Sequence, residues 1–235
     1  MVQEREVIGS SLEIRVGNEI LQEHDEILAA IVNSSWGWLF NATPEIIRRR
    51  LDSGHPFVAA YDTKRPEEVL YGADLSGHDG KKIPTVFLET VVLRTEGRYE
   101  NVPGDYFQLT NSGLWAPPVI DPDTVIMVDI TATPSRKGLN PGVGKVIEYA
   151  KALFNGSINH SFPFDMRGIE HIWTYSPDDR RVRIMHERNG AKDTGFTIPY
   201  SRVPLDFVTY IDGQRKIDPS FSNPLMNTHI LSYRG

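Results

Sequence analysis

Apolar and polar positions follow different periods along the first half of the chain, and these periods predict its elements. Residues 12–16 (Leu-Glu-Ile-Arg-Val) alternate between apolar and charged side chains, which predicts an edge-type strand. Residues 19–32 place apolar side chains on one helix face, and Thr43 before Pro44 predicts the capped start of a second helix ending near Ser53-Gly54. Apolar runs predict further strands at 56–61, 69–73 and 86–93.

The second half begins with a long irregular segment and then becomes strongly patterned. Residues 95–124 are rich in Gly, Pro, Asn and Asp, and a loop of this length inside a domain is usually a lid or a binding loop. Residues 124–133 are almost continuously apolar and β-branched, which predicts a strand buried on both faces. After a turn-rich stretch at 134–141, apolar residues recur at helical spacing from 143 to 154.

The remaining pattern alternates strand and helix before it becomes polar. It predicts a strand at 169–175, a helix that ends near Gly190, and strands near 194–198 and 206–211. The last two dozen residues contain Asp-Gly, two prolines, Asn and Ser, which predicts a surface tail. We therefore expect one α/β domain over residues 1–211, with an enlarged loop at 95–124, and a C-terminal extension over 212–235.

Composition and charge narrow the class of protein. The 235 residues carry a formal charge of −6, with 40% hydrophobic and 24% charged residues, as in ordinary soluble globular proteins. The absence of cysteine excludes disulfide scaffolds, thiolate zinc sites, iron–sulfur clusters and cysteine nucleophiles. No apolar run approaches the roughly 18 residues of a membrane helix. We expect a cytoplasmic protein with no metal, no membrane partner and no nucleic-acid partner.

The segment 134–145 (Pro-Ser-Arg-Lys-Gly-Leu-Asn-Pro-Gly-Val-Gly-Lys) lies between the predicted buried strand and an amphipathic helix. Glycines in such a turn expose backbone N–H groups at a helix N-terminus, where the helix dipole adds about half a positive charge. Arg136, Lys137 and Lys145 add further positive charge. The segment therefore predicts a phosphate or pyrophosphate site. The spacing of its glycines fits neither a Walker A loop nor a dinucleotide fingerprint.

From residue 124 to 211 the chain resembles the GNAT family, the Gcn5-related N-acyltransferases. Gly142-x-Gly144 matches the final glycines of the family's Arg/Gln-x-x-Gly-x-Gly/Ala loop, although Leu139 replaces Arg or Gln and Arg136-Lys137-Gly138 lies earlier. Residues 185–191 (Met-His-Glu-Arg-Asn-Gly-Ala) are similar to the family's Tyr-Glu-Lys-x-Gly-Phe helix end. The resemblance implies a GNAT-type fold, with a mixed, mostly antiparallel central sheet flanked by helices.

The resemblance also implies a donor site and a set of reactive residues. Backbone N–H groups of the loop would hold the pyrophosphate of acetyl-CoA or another acyl-CoA, and the pantetheine arm would pair beside the end of the central strand. His186 stands where the family has its tyrosine acid, Asp129 is the candidate base, and Trp36 and Trp38 would line the acceptor pocket. The implied donor-binding residues are Ile130, Thr131, Ala132, Arg136, Lys137, Gly138, Gly142, Val143, Gly144, Lys145 and Asp179.

Each of these residues also has a structural interpretation. Gly142 and Gly144 would serve equally in a tight turn with close helix packing, and His186 as a helix-end histidine. Asp129 would otherwise pair with an arginine or face a polar loop. Its role also depends on the register of the strand, since a shift of one residue moves its side chain to the other face. Asp179, in place of the family's Asn, would cap its helix, and the tryptophans would pack in the core.

The predicted function is acyl-CoA-dependent acyl transfer, most simply acetyl transfer, to an amine of a small molecule or metabolite. Two alternatives remain open. One is a long-chain donor or a donor carried on an acyl-carrier protein, with residues 95–124 shaping a wider channel. The other is a non-catalytic acyl-CoA-binding or sensing module, which the departures at Leu139, Asp179 and His186 favour. A homodimer is compatible with either.

Overall fold

The structure is a computed structural model, which describes residues 12–36, 41–62, 81–104, 106–111, 113–133, 142–177, 180–200, 208–211, 214–217 and 226–234. The helices are α1 (Asp25–Trp36), α2 (Pro44–Leu51), α3 (Tyr106–Leu109), α4 (Gly142–Phe154) and α5 (Arg180–Arg188). The strands are β1 (Glu13–Val16), β2 (Val58–Asp62), β3 (Ile83–Leu93), β4 (Thr124–Ala132), β5 (His171–Pro177), β6 (Lys192–Tyr200), β7 (Val208–Ile211), β8 (Gln214–Ile217) and β9 (Met226–Ser232).

Seven strands form one mixed sheet in the order β1-β2-β3-β4-β5-β9-β6. Five of its six neighbouring pairs are antiparallel, and β4 and β5 are parallel. Strands β7 and β8 form a separate hairpin. The predicted α/β class with a mostly antiparallel sheet is therefore confirmed. Within the described residues, no helix is long and apolar enough to cross a membrane.

Helices cover both faces of the sheet, so the core has two layers. On what we call the first face, α1 and α2 pack with residues 99–115 against β3, β4 and β5. On the second face, α4 and α5 pack against the other sides of the same strands. Because β4 lies in the middle of the sheet, its side chains are buried on both faces, as its continuous apolar pattern predicts.

The helix boundaries follow local capping signals. The Thr43 hydroxyl oxygen accepts a hydrogen bond from the backbone N–H of Ile46, and Pro44 occupies the first helical position, so the predicted start of α2 is confirmed. The first helix begins later than its apolar pattern predicts, because residues 17–24 form two 3-10 turns before α1. The predicted strand at 69–73 lies outside the described residues.

The predicted surface tail is wrong for residues 226–232. These residues form β9, which lies between β5 and β6, with Ile230 and Leu231 almost completely buried. Only two consecutive residues of β9 are strongly apolar, and Thr228 is buried although it is polar. A strand with so little apolar character is held by pairing with partners far away in the sequence, which local periodicity does not record.

The segment between β3 and β4, residues 94–123, is packed against the first face and is not an open loop. Its buried side chains join the core of that face: Val102, Tyr106, Leu109 and Trp115. Of its non-glycine residues that the structure describes, three have positive φ, namely Glu96, Asn111 and Trp115, and for a bulky side chain such as Trp115 this conformation is rare. We call this segment the excursion.

Candidate functional site

The parallel strands β4 and β5 separate halfway along their length. Their ladder runs from Thr124 and His171 to Met127 and Thr174, and the Thr174 hydroxyl donates a hydrogen bond to the Met127 carbonyl at the last pair. Beyond this point β4 continues with β3 on one side, while β5 continues with β9. Residues 128–132 and 175–177 therefore lie beyond the β4–β5 ladder, and we call the region between them the cleft.

A β-bulge at Val128 sets the direction of the side chains beside the cleft. Asp129 pairs with Glu89 and Met127 pairs with Thr90, so Val128 is an extra residue on β4. A bulge of this kind shifts the alternation of a strand by one position. As a result the side chains of Val128 and Asp129 both point to the first face of the sheet, and Asp129 lies directly opposite Glu89.

Asp129 belongs to a buried charge cluster, which consists of Arg50, Glu89 and Asp129. Arg50 Nη1 and Glu89 Oε1 are 2.7 Å apart, and both side chains are essentially inaccessible to solvent. The Arg50 Nε–H group donates to the Gly113 carbonyl at 2.8 Å, and its guanidinium lies 4.6 Å from the centre of the Trp115 ring. The excursion therefore encloses the cluster on the first face.

Electrostatics within the charge cluster oppose the cost of burial. Burial disfavours the guanidinium, but the charges of Glu89, Tyr106 and Asp129 outweigh it and raise the pKa of Arg50. Burial raises the pKa of Glu89, and its ion pair with Arg50 offsets this only in part. Asp129 is thus close enough to Arg50 to interact with it, as the structural interpretation of this residue expects.

Neither Arg50 nor Glu89 was singled out by the sequence pattern. Arg50 ends a run of three arginines (48–50), which is typical of an exposed helix end. Glu89 carried a recognisable signal, because it is the one charged residue within the apolar run 86–93. A carboxylate in the middle of a buried strand needs a partner, and that requirement could have suggested the ion pair.

On the second face, α4 begins directly at the predicted glycines. Gly142 and Val143 are buried in its first turn. A Cβ atom at Gly144 would lie 3.4 Å from Asn189 Oδ1, so this glycine packs closely against the end of α5. Lys145 is exposed and forms an ion pair with Glu148 at 3.2 Å. Arg136, Lys137 and Gly138 lie outside the described residues.

Along the end of β4, beside the cleft, successive side chains point to opposite faces of the sheet. Ile130 and Ala132 are half-buried and face the second face. Thr131 is buried, and its hydroxyl donates to the Phe87 carbonyl at 3.3 Å. Their backbone groups on the β5 side lie beyond the last β4–β5 pair. An extended ligand with amide groups could pair with this edge as an added strand does.

His186 is buried on the second face, where its Nδ1 atom lies 2.7 Å from the Tyr233 hydroxyl. Burial lowers the pKa of His186 to about 4, well below the ordinary histidine value near 6.5. Tyr233 donates its backbone N–H to the Ile172 carbonyl, which places the pair beside the first half of β5. Ile172 precedes Thr174 by two residues, or roughly 7 Å of strand.

The two predicted reactive residues therefore lie on opposite faces of the sheet. Asp129 faces the first face and His186 lies on the second, and both are close to the point where β4 and β5 separate. Trp36 is the last residue of α1. Trp38 and Asp179 lie outside the described residues.

The excursion also covers β5 on the first face. The Tyr175 hydroxyl donates to the Pro103 carbonyl at 3.0 Å. Tyr99 packs against Trp173, with ring centres 4.6 Å apart, and stacks on Phe196 at 5.1 Å. These contacts close the first face of the cleft, so Asp129 is only 5% exposed. Among the described residues, no group of three or more His, Asp or Glu side chains could hold a metal ion.

Two buried histidines predict that the fold loses stability in mild acid. Burial lowers the pKa of His55 and of His186 to about 4. His55 accepts a hydrogen bond from Val92 N–H and bonds through Nε2 to the Ala116 carbonyl, so its neutral form is required. Unfolded histidine binds a proton below pH 6.5, and therefore protons favour the unfolded chain between about pH 6.5 and 4.

We expect the free energy of unfolding to fall by about 3 kcal/mol per histidine across this range. In His186→Gln we expect the total loss to be smaller by the share of His186, about 3 kcal/mol. Urea denaturation of both proteins at pH 7.5, 6, 5 and 4 measures the loss. An unchanged pH dependence in His186→Gln would show that the pKa of His186 is the same in the folded and unfolded states.

Solved structures with a similar fold have sequences that are only distantly similar to this chain. The chain is similar to the loading GNATL domain of CurA from Lyngbya majuscula, with a TM-score of 0.55 and 12% identity over 96% of this chain and 98% of that one. It is also similar to Arabidopsis thaliana NAA60 in complex with acetyl-CoA, with a TM-score of 0.50 and 12% identity over 94% of this chain and 97% of that one. No protein-family model and no curated protein sequence matches the chain. The protein has the GNAT fold, and the predicted fold is confirmed.

Proposed function

We propose that the protein is an acyl-CoA-dependent N-acyltransferase that acts on an amine of a small molecule or metabolite, with acetyl-CoA as the simplest donor. The observation that carries this proposal is the opening of β4 from β5 beyond Met127 and Thr174 in a GNAT fold, with Asp129 turned inward by the bulge. The similarity to NAA60, whose structure holds acetyl-CoA, supports the choice of donor.

The donor would bind along the second face of the cleft. The backbone of residues 130–132 offers an open strand edge to the amides of a pantetheine arm. The segment 136–138 and the start of α4 at 142–145 would hold the pyrophosphate, because backbone N–H groups at a helix N-terminus favour anions. The thioester supplies an activated carbonyl, and a backbone N–H beside it would stabilise the developing negative charge.

The acceptor amine would react on the first-face side of the cleft, where Asp129 lies beneath the excursion, so its entry requires the excursion to move aside. Its ammonium form must lose a proton before nitrogen can attack, and we assign that proton to the Asp129 carboxylate, a role that its position at the end of the β4–β5 ladder supports. In the transfer a C–N bond forms and the C–S bond breaks on the second face. The nitrogen loses its second proton to solvent, and the departing thiolate takes up a proton from solvent, so coenzyme A leaves as the thiol. The proton is then released from Asp129 before the next cycle.

His186 would stabilise the departing sulfur by a hydrogen bond. Burial raises the pKa of Tyr233, so its phenol stays protonated and is able to donate to Nδ1 of the neutral His186 ring. In that arrangement the hydrogen of the imidazole lies on Nε2 and is available as a donor. A histidine with a pKa near 4 gives a hydrogen bond rather than a full proton at neutral pH.

A second candidate function is a module that binds acyl-CoA without transferring the acyl group. The observation in its favour is the closed first face, where the excursion leaves Asp129 only 5% exposed. Formation of an acylated amine separates the two functions. A panel of primary amines, including polyamines, aryl-alkylamines, amino sugars and short peptides, tests for it by release of the free thiol of coenzyme A.

Binding of the donor predicts a rise in melting temperature. At a concentration one hundred times Kd, a ligand stabilises the folded state by about 2.7 kcal/mol, or roughly 5–10 °C for a chain of this size. A melting scan against coenzyme A, acetyl-CoA, octanoyl-CoA and palmitoyl-CoA, with NAD and ATP as controls, measures it. If NAD or ATP shifts the melt and no coenzyme A compound does, the proposed function is wrong.

Gly144 offers a matched pair of variants for the same scan. In Gly144→Ala the new Cβ meets Asn189 Oδ1 at 3.4 Å, an ordinary contact, so the melting temperature without ligand should change little. Gly144→Asp adds a negative charge where the pyrophosphate is expected, and we expect its Kd for coenzyme A to rise roughly tenfold or more. A Gly144→Asp protein that binds as the alanine variant does would place the pyrophosphate elsewhere.

A further inference from the structure

Glu89 is a buried carboxylate that the proposed transfer does not yet use. Its side chain is 0% exposed, and Oε1 is held by Arg50 at 2.7 Å. Its second oxygen, Oε2, is buried and has no hydrogen-bond partner among the described residues. A buried carboxylate oxygen without a hydrogen-bond donor lowers the stability of the fold, so its presence here needs an explanation.

The register of the sheet supplies a neighbour for this carboxylate. Glu89 on β3 and Asp129 on β4 are directly paired, and both side chains point to the first face. Side chains at directly opposite positions of an antiparallel pair have Cβ atoms about 4.5–5.5 Å apart. The bulge at Val128 creates this juxtaposition, since without it Asp129 would face α4 instead.

The cluster therefore contains two carboxylates and one guanidinium. Among the described residues, Arg50 from α2 interacts with both carboxylates, Tyr106 from α3 interacts with Arg50, and Trp115 covers Arg50. Two carboxylates this close in a site of low polarity do not both ionise at their usual pH, and the last proton leaves the pair at a raised pH. Arg50 interacts with both carboxylates and limits that rise without removing it.

We propose that Glu89 is a positioning residue that makes Asp129 a proton acceptor near neutral pH. The proposal rests on the proposed acyl transfer. When both carboxylates are ionised, the pair takes one proton from the acceptor ammonium: its N–H bond breaks and an O–H bond forms on Asp129. The freed lone pair attacks the thioester carbonyl, and the proton later leaves the pair for solvent.

A carboxylate without such a neighbour would be a poor base for this step. An ordinary aspartate has a pKa near 3.9, and efficient proton transfer at neutral pH requires a group whose pKa lies near the working pH. Glu89 does not need to touch the substrate for this effect. Its negative charge, placed beside Asp129 and away from water, is sufficient.

The test compares the pH dependence of wild type, Glu89→Gln, Glu89→Asp and the surface control Glu100→Gln. We expect the acid limb of the kcat/KM profile to move down by about one pH unit or more in Glu89→Gln. Glu89→Asp keeps the neighbouring charge, so its limb should stay near that of wild type. Glu100 is exposed on the excursion, and its replacement should leave the profile unchanged. An acid limb that Glu89→Gln does not move overturns the proposal.

A second readout does not depend on activity. In protein labelled with ¹³C at the aspartate carboxyl carbons, the signal missing from Asp129→Asn identifies Asp129, and its titration is followed in wild type and in Glu89→Gln. We expect Asp129 to titrate at a higher pH in wild type than in Glu89→Gln. If Glu89→Gln does not fold, the wild-type signal decides, because a single titration step in the range of an ordinary aspartate contradicts the proposal.

The two readouts also separate this proposal from the proposed function. If the protein binds no acyl-CoA but Asp129 titrates at a raised pH, the coupling of the two carboxylates is supported and the proposed acyl transfer is wrong. If the protein transfers acyl groups while Asp129 titrates as an isolated carboxylate, the acyl transfer is supported and the proposed role of Glu89 is wrong.

Discussion

Replacing Arg50 by methionine is expected to lower the free energy of unfolding by about 3–5 kcal/mol. The substitution leaves the fully buried Glu89 carboxylate without its cation, and an unpaired charge in the interior is among the most destabilising changes known. It also removes the hydrogen bond to the Gly113 carbonyl and the guanidinium above Trp115, both of which hold the excursion against α2. For a chain of this size the loss corresponds to a fall of roughly 10 °C or more in melting temperature.

The neighbouring arginine provides the control for this experiment. Arg49 lies on the same helix but is exposed, so Arg49→Met should change the free energy of unfolding by less than about 0.5 kcal/mol. The double variant Arg50→Met with Glu89→Leu removes the Arg50–Glu89 ion pair and should recover part of the lost stability, since apolar replacement of a buried ion pair is often neutral, whereas Asp129 stays buried without its cation. Urea denaturation of the four proteins measures these changes. A full loss of stability in the double variant would show that the hydrogen bonds of Arg50, and not its charge, hold the fold.

The parts of the fold that could be predicted are the elements whose signals lie in residues close together in the sequence. The continuous apolar run at 124–133 predicts a central strand, and α4 follows from the spacing of apolar residues after Gly142. The cap at Thr43 fixes the start of α2 because a side-chain oxygen and a proline act within one turn. In such segments the preference of the chain and the packing of the protein agree.

The parts that could not be predicted depend on partners distant in sequence. Strand β9 is recognised only by its pairing with β5 and β6, because few of its residues are apolar. Arg50 is buried only because Glu89, 39 residues later, lies opposite it. The bulge at Val128 has no sequence signal in the run 124–133, yet it decides which face Asp129 joins.

The candidate site shows the same division. The order of motifs along the chain suggested His186 and Asp129, and the structure places them on opposite faces near the separation of β4 and β5. The pKa of His186 depends on burial beside Tyr233, a residue of the segment that the sequence pattern assigns to the surface. For this reason a residue type at a family position predicts a role but not its protonation state.

Replacing Asp129 by asparagine is expected to lower kcat/KM for acyl transfer by roughly 10²–10⁴-fold, the usual contribution of a general base. Asparagine has nearly the same size and shape, so the packing beside Val128 and Glu89 should be kept. It cannot take a proton from an ammonium group, and the neutral amine is scarce at neutral pH. The measurement is release of free coenzyme A thiol with the best amine of the panel, at saturating acetyl-CoA.

Two observations make the result for Asp129→Asn specific. The melting shift with acetyl-CoA should equal that of wild type, because the proposed donor site is on the second face and Asp129 is on the first. The rate should also recover as pH rises toward the pKa of the acceptor amine, since the neutral amine then needs no base. The exposed Asp121 provides the control, and Asp121→Asn should behave as wild type in all three measurements. A wild-type rate in Asp129→Asn at pH 7 would contradict the role of Asp129 as a base. Asp129 would then be only an electrostatic partner of Arg50, and water would take the proton of the acceptor ammonium.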